Sequence, residues 1–167
     1  MKDERFKYNK IICPICNPER NPETSIERVI RNILEELDIK FEEHNRKIIS
    51  PKELDFYLPD YNSAIECNGL YWHSDFKKEK AYHYNKFKDC ENKGITLLTF
   101  WENDIINNTD KIKHLIKTRF NKNENIINGD DCKIKELSSN EAKMFLNNYS
   151  LFNDINSSIR LGLYCND

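Results

Sequence analysis

The chain has 167 residues, 38% hydrophobic and 32% charged, which suits one ordinary domain with attached pieces and a strongly hydrophilic surface. Twenty-six basic against 28 acidic side chains leave a formal net charge of −2, which excludes a globally basic nucleic-acid-coating protein; any such contact must come from local patches. No apolar run reaches the roughly 18–20 residues that span a bilayer, and the opening MKDERFKYNK has no signal-peptide core, so an intracellular protein without membrane partners is expected.

Residues 1–22 read as an appendage. Cys13-Pro14-Ile15-Cys16 is followed by NPERNP, a knuckle-and-loop composition without apolar periodicity. Such a Cys pair can supply two of four zinc ligands, yet no second pair lies close by, so two cysteines in a plain turn is an equal reading. Cys67, Cys90, Cys132 and Cys165 are scattered and read as small neutral side chains.

A helix is expected from Thr24 or Ser25, with Ile26, Val29, Ile30, Ile33, Leu34 and Leu37 at helical spacing. Glu27 lies along the buried stripe at the first turn. It could reach into a cleft, or simply be favoured by the helix N-terminal dipole. KFEEHNR is a weak strand candidate, and ELDFYL is a better one, alternating Leu54, Phe56 and Leu58 with Asp55 and Tyr57. Pro59-Asp60-Tyr61-Asn62 is turn chemistry, after which SAIECNG runs back with Ala64, Glu66 and Asn68 on one face. The resulting hairpin would bring Asp55 close to Glu66 and Asn68.

Phe76 to Lys93 reads as a charged, aromatic helix, Gly94 to Trp101 as a buried strand, and Asp110 to Phe120 as a closing helix. The order is that of an α/β layer structure. From Cys132 onward one capped helix, starting at Ser138 or Ser139, and one strand in SIRLGLYCND are expected. They cannot bury a core alone, so 123–167 reads as a linker and the start of a C-terminal α+β piece of a second domain.

Acids at mid-strand raise the question of function, because an ionised carboxylate that loses water needs a partner. No lysine or arginine falls on the same strand faces, so a hard cation is the natural compensation. Mg²⁺ takes oxygen ligands from one or two carboxylates, here Asp55 and Glu66, with the carbonyl of Cys67 as a third. Mn²⁺ could substitute. Bound metal would polarise a phosphate oxygen and acidify a water. His73 and His83 are the candidate acids or bases: each alone reads as structural, and together beside the acidic hairpin they read as functional.

The stretches ELDFYLPDYNSAIECNGLYWHSD and YHYNKFKDCENKGITLLTFWEND resemble the very short patch repair endonucleases and the related EDxHD homing endonucleases of phages, both of the PD-(D/E)xK nuclease superfamily. The resemblance covers roughly residues 25–120 and is densest in IECNGLYWHSD. It implies a restriction-endonuclease-like three-layer core, a mixed central sheet flanked by helices, over 23–122. It implies a metal-dependent endonuclease acting on double-stranded DNA. Glu27 would be the helix acid, Asp55 the principal metal-binding aspartate, Cys67 the carbonyl donor, His73 the histidine near the attacking water and Trp72 an aromatic wedge into DNA. Asn68 stands where the superfamily usually has lysine, His83 falls at the repair enzymes' second acid, and Asp75 or Asp89 would be the last acid of the motif. Cys13 and Cys16 resemble the end of a zinc ribbon. Lys77, Lys78 and Lys80 just after the site, and further lysines over 111–122, would contact phosphates or form a solvated helix face. A transposase- or resolvase-type nuclease of the same superfamily, and a non-catalytic zinc- and DNA-binding module, are the alternatives.

Overall fold

The computed structural model describes residues 24–69, 76–124 and 126–165. The Cys13–Cys16 segment and Trp72, His73 and Asp75 lie outside them.

Helix α1 runs over Ser25–Glu36 and opens with a capping box: the Thr24 hydroxyl accepts from the Glu27 N–H, and the Glu27 carboxylate accepts from the Thr24 N–H at 2.6 Å. Its stripe of Ile26, Ile30, Ile33 and Leu34 is buried. Strands β1 (Glu42–Asn45), β2 (Leu54–Leu58) and β3 (Ser63–Asn68) form an antiparallel meander. A short 3₁₀ turn at Pro59–Tyr61 and Asn62 in the left-handed region (φ 43°) link β2 to β3, as the turn residues predict. Helix α2 (Phe76–Asn92) then crosses the sheet, and β4 (Thr96–Trp101) pairs parallel to β3, giving the order β1-β2-β3-β4. Gly94, at φ +69°, ends α2 in a conformation an L side chain rarely adopts, and turns the chain into β4.

Helices α3 (Glu102–Asn107) and α4 (Thr109–Arg119) complete the layers. One face of the sheet carries Phe56, Leu58, Ile65 and Phe100 against the apolar stripes of α1, α3 and α4. The other face carries Ala64, and a second buried cluster joins Ala64 and Leu54, at the start of β2, with Cys90 of α2, Ile49 and Ile95. Two helical layers thus enclose a mixed four-stranded sheet, as the sequence led us to expect. Two details differ. Gly94 to Trp101 reads as a fully buried strand, but β4 is the sheet edge and of its residues only Phe100 is buried. Helix α3, a single polar turn and a half, carries no periodic signal long enough to be read.

Beyond Phe120 the chain forms β5 (Cys132–Glu136), α5 (Ser139–Tyr149) and β6 (Leu161–Cys165), with β5 and β6 in a separate two-stranded antiparallel sheet. Strand β5, in which a single isoleucine stands between two lysines, is not anticipated by the sequence reading. This unit touches the core through Leu151, and Lys111 Nζ of α4 donates to the Ser150 carbonyl at 3.0 Å.

Candidate active site

The site forms at the carboxyl ends of the parallel pair β3 and β4, where β2 begins. The register pairs Phe56 with Ile65; one step further it sets Asp55 opposite Glu66. Directly opposed residues of an antiparallel pair project to the same face. The two acids therefore converge, and the hairpin reading holds. Asp55 Oδ2 also accepts from the Cys67 N–H at 2.8 Å, which ties its carboxylate to the strand that carries Glu66.

Glu66 is 7% exposed. Its Oε1 is bound by the ammonium of Lys86, which reaches down from α2 and is itself 2% exposed. Sequence reasoning placed no basic partner on the strand faces; the partner comes instead from a helix twenty positions later. A signal did exist. His83, Lys86 and Cys90 fall at i, i+3 and i+7 and turn inward together, while Tyr82, Tyr84 and Phe87 of the same helix stay exposed. The Lys86 bond satisfies only half of the carboxylate. Among the described residues neither the buried Glu66 Oε2 nor Asn68 Nδ2 two residues on finds a hydrogen bond of ordinary geometry, although the Asp55 N–H helps hold the Glu66 carboxylate ionised.

The electrostatics follow from this crowding. Burial, and then the charge of Glu66, push the Asp55 carboxyl up to about 7, against the stabilising Cys67 N–H and Lys86. Burial likewise raises Glu66, only partly offset by the Lys86 ammonium. The Cys67 thiol is pushed far above its ordinary range by burial and by the acids around it, so it stays neutral and its backbone is what the residue can offer. Glu27 caps its own helix, yet its charge still contributes to raising both Asp55 and Cys67. His83 is close enough to favour the ionised form of Glu66, and its ring lies 5.9 Å from Trp101 and 5.8 Å from Tyr82.

The donor set suits a small hard cation. Two carboxylates on one face, one with a free buried oxygen, and a strand carbonyl beside them match the oxygen ligation of Mg²⁺ or Mn²⁺. Among the described residues no three His, Cys, Asp or Glu side chains gather into a cage, so any ion here would keep part of its water shell.

Other sequence candidates are placed differently. Asp89 is held by Lys52 at 2.5 Å. Lys77, Lys78 and Lys80 fall in the first turns of α2. Lys113 is paired with Glu36 at 2.5 Å, and Lys122 Nζ donates to the Asp38 carbonyl at 3.0 Å, so this part of the 111–122 run has internal partners. A groove of about 720 Å³, lined by Leu137, Phe145, Leu161 and Leu163 among others, lies in the β5–α5–β6 unit. It holds none of the acids discussed above. Among the described residues no helix is long and apolar enough to cross a membrane.

No protein-family model and no curated protein matches the chain. Among solved structures, the catalytic domain of the homing endonuclease I-Bth0305I is 33% identical, with a TM-score of 0.46. The match covers 59% of this chain and 97% of that domain. The chain is similar to a homing endonuclease catalytic domain.

Proposed function

We propose that this protein is a divalent-metal-dependent endonuclease that hydrolyses phosphodiester bonds of duplex DNA, of the phage homing or very short patch repair kind. One observation carries the reading: Asp55 and Glu66 stand opposite one another on one sheet face, Glu66 buried and Asp55 half-buried, with an oxygen of Glu66 that finds no well-formed hydrogen bond among the described residues. A protein that needed these residues only for its core would be more stable with apolar ones. The 33% identity to a homing endonuclease catalytic domain is in keeping with it.

In this reading Asp55, Glu66 Oε2 and the Cys67 carbonyl hold Mg²⁺, and Mn²⁺ can replace it. The ion, when bound, polarises the phosphate and acidifies a water. The chain's own residues do the rest. The Cys67 N–H fixes the Asp55 carboxylate, burial excludes competing water, and His83 sits within electrostatic range of Glu66. From the sequence, His73 serves the attacking water, Trp72 wedges into the duplex, and Lys77, Lys78 and Lys80 engage phosphates. Cys13 and Cys16 remain candidate zinc ligands of an N-terminal segment, and 123–167 a candidate DNA-reading piece.

The test is plasmid cleavage with Mg²⁺, with Mn²⁺ and with EDTA. Asp55→Ala is expected to lower the rate by about 10³-fold or more, the scale of losing several kcal/mol of metal-borne charge stabilisation, while the fold persists. Unchanged nicking by that variant refutes the assignment. The second reading, a non-catalytic binding module, draws on the Lys86–Glu66 pair, which could exist for structure alone. A chain that binds DNA but shows no calorimetric response to Mg²⁺ would favour it.

A further inference from the structure

Among the described residues four polar or charged side chains are buried, Ser63, Glu66, Asn68 and Lys86, and the last three belong to the end of the sheet where Asp55 lies. Burying a lysine costs several kcal/mol unless its partner is well placed. Lys86 is 2% exposed and its ammonium contacts one oxygen of one acid. Here one ammonium faces two carboxylates, and among the described residues the second oxygen of Glu66 accepts no well-formed hydrogen bond, although the Asp55 backbone N–H helps hold the carboxylate ionised.

Charge counting gives the consequence. Asp55 and Glu66 together match a divalent cation, which would leave the loaded site neutral. Lys86 adds one positive charge, so the inner cluster of two acids, ion and ammonium is cationic, and the Glu27 carboxylate, which forms no part of that cluster, offsets it only from a distance. A phosphodiester is an anion, and its transition state for hydrolysis carries more negative charge at the reacting oxygens than the ground state does; fixed positive charge in a dry site favours that state. Lys86 cannot be displaced by the ion if the ion takes the opposite oxygen of Glu66.

We propose that Lys86 is a positioning residue of this site: from α2 it grips Oε1 of Glu66, presents Oε2 to the cation, and leaves the loaded site with a net positive charge toward the phosphate. This rests on the nuclease reading above.

The experiment uses the full chain, with Ca²⁺ as a non-turnover probe followed by thermal unfolding, and single-turnover plasmid cleavage at saturating Mg²⁺. Lys86→Met keeps the stem and removes the charge. Its unfolding temperature without metal should fall, and Ca²⁺ should raise it by more than in the unmodified protein, because the carboxylates then rely on the ion alone. Cleavage should slow by at least about tenfold even at saturating Mg²⁺, with substrate affinity little changed. A purely structural lysine would lower the unfolding temperature without enlarging the Ca²⁺ response. Should Lys86→Met not fold, Lys86→Arg and Lys86→Gln carry the test: the charged variant should keep the rate and the Ca²⁺ response of the unmodified protein, the neutral one should slow cleavage by about tenfold and enlarge the response, and equal behaviour of the two overturns the proposal. A Lys86→Met protein with the normal Ca²⁺ response and rate overturns the proposal while the nuclease reading stands. If the unmodified chain neither responds to Ca²⁺ nor cleaves, both fall.

Discussion

The α1–α4 core and the β5–α5–β6 unit are made from similar ingredients and put them to opposite use. Both open a helix with the same capping box, Thr24 with Glu27 and Ser138 with Glu141. Each has a strand that alternates apolar and polar residues, LDFYL in the core and CKIKE in the second unit. In the core Leu54, Phe56 and Leu58 alternate into full burial, whereas in the second unit Leu161 and Leu163 stay 65% and 69% exposed. Of its apolar residues only Ala142 is buried. The difference lies in layering. Two strands and one helix cannot enclose a face, whereas four strands between two helical layers enclose both. That enclosure is also what makes the acids costly, and so what makes them informative.

Truncating a side chain on each side should break the comparison most sharply. Phe56→Ala removes a ring at the centre of the core that meets Phe41 edge-on at 5.6 Å, and should cost about 3–5 kcal/mol. Phe152→Ala, at a residue 83% exposed, should change stability by less than about 0.5 kcal/mol. Urea unfolding of both variants checks this. Comparable losses would mean that the second unit is packed in solution in a way its exposure does not show.

Acid titration gives the next largest contrast. The folded Asp55 carboxyl is held up at about 7 by burial and by Glu66, against an ordinary value of 3.8. Between those values the folded chain keeps a proton that the unfolded chain gives up. Stability without metal should therefore fall as pH rises from about 4 to 7, by on the order of a few kcal/mol, and stay low above. Asp55→Asn should flatten that slope, and saturating Mg²⁺ should lift the native protein most at pH 8. In the second unit the sign is opposite. Hydrogen bonds from Ser138 hold the Glu141 carboxyl below its ordinary value, so its contribution is present above that value and fades on acidification. Thermal unfolding across pH 4–8, with and without Mg²⁺, separates the two. A native slope that Asp55→Asn leaves unchanged would show that another group is responsible.

Much of this was legible in the residues, where local rules and tertiary packing agree. The α1 stripe, the LDFYL alternation, the Pro59–Asn62 turn and the same-face placement of Asp55 and Glu66 each follow from short-range periodicity. What failed to show depended on partners. The apolar run of β4 reads as interior, but strand order, which no local pattern encodes, puts it at the edge. Lys86 lies in a helix whose exposed aromatics and many lysines hide a three-residue inward stripe. A charge turned inward becomes visible only once Glu66 is known to lie beneath it. Short elements such as α3 and β5 fall below the length at which a period can be recognised.

The two capping boxes give the finest test, because their local chemistry is the same. Thr24 caps a helix with Ile26, Ile30, Ile33 and Leu34 buried, so Thr24→Ala should remove about 1 kcal/mol from global stability. Ser138 caps a helix with one buried residue, tied to the core through little more than Leu151 and the Lys111 bond to Ser150. Ser138→Ala should then leave the main unfolding transition in place and instead speed amide exchange within α5, because a sparsely packed unit opens on its own. Equal shifts of the main transition by both changes would mean that the core and the β5–α5–β6 unit unfold together, and that the groove along α5 is a seam of one body rather than the open side of a second.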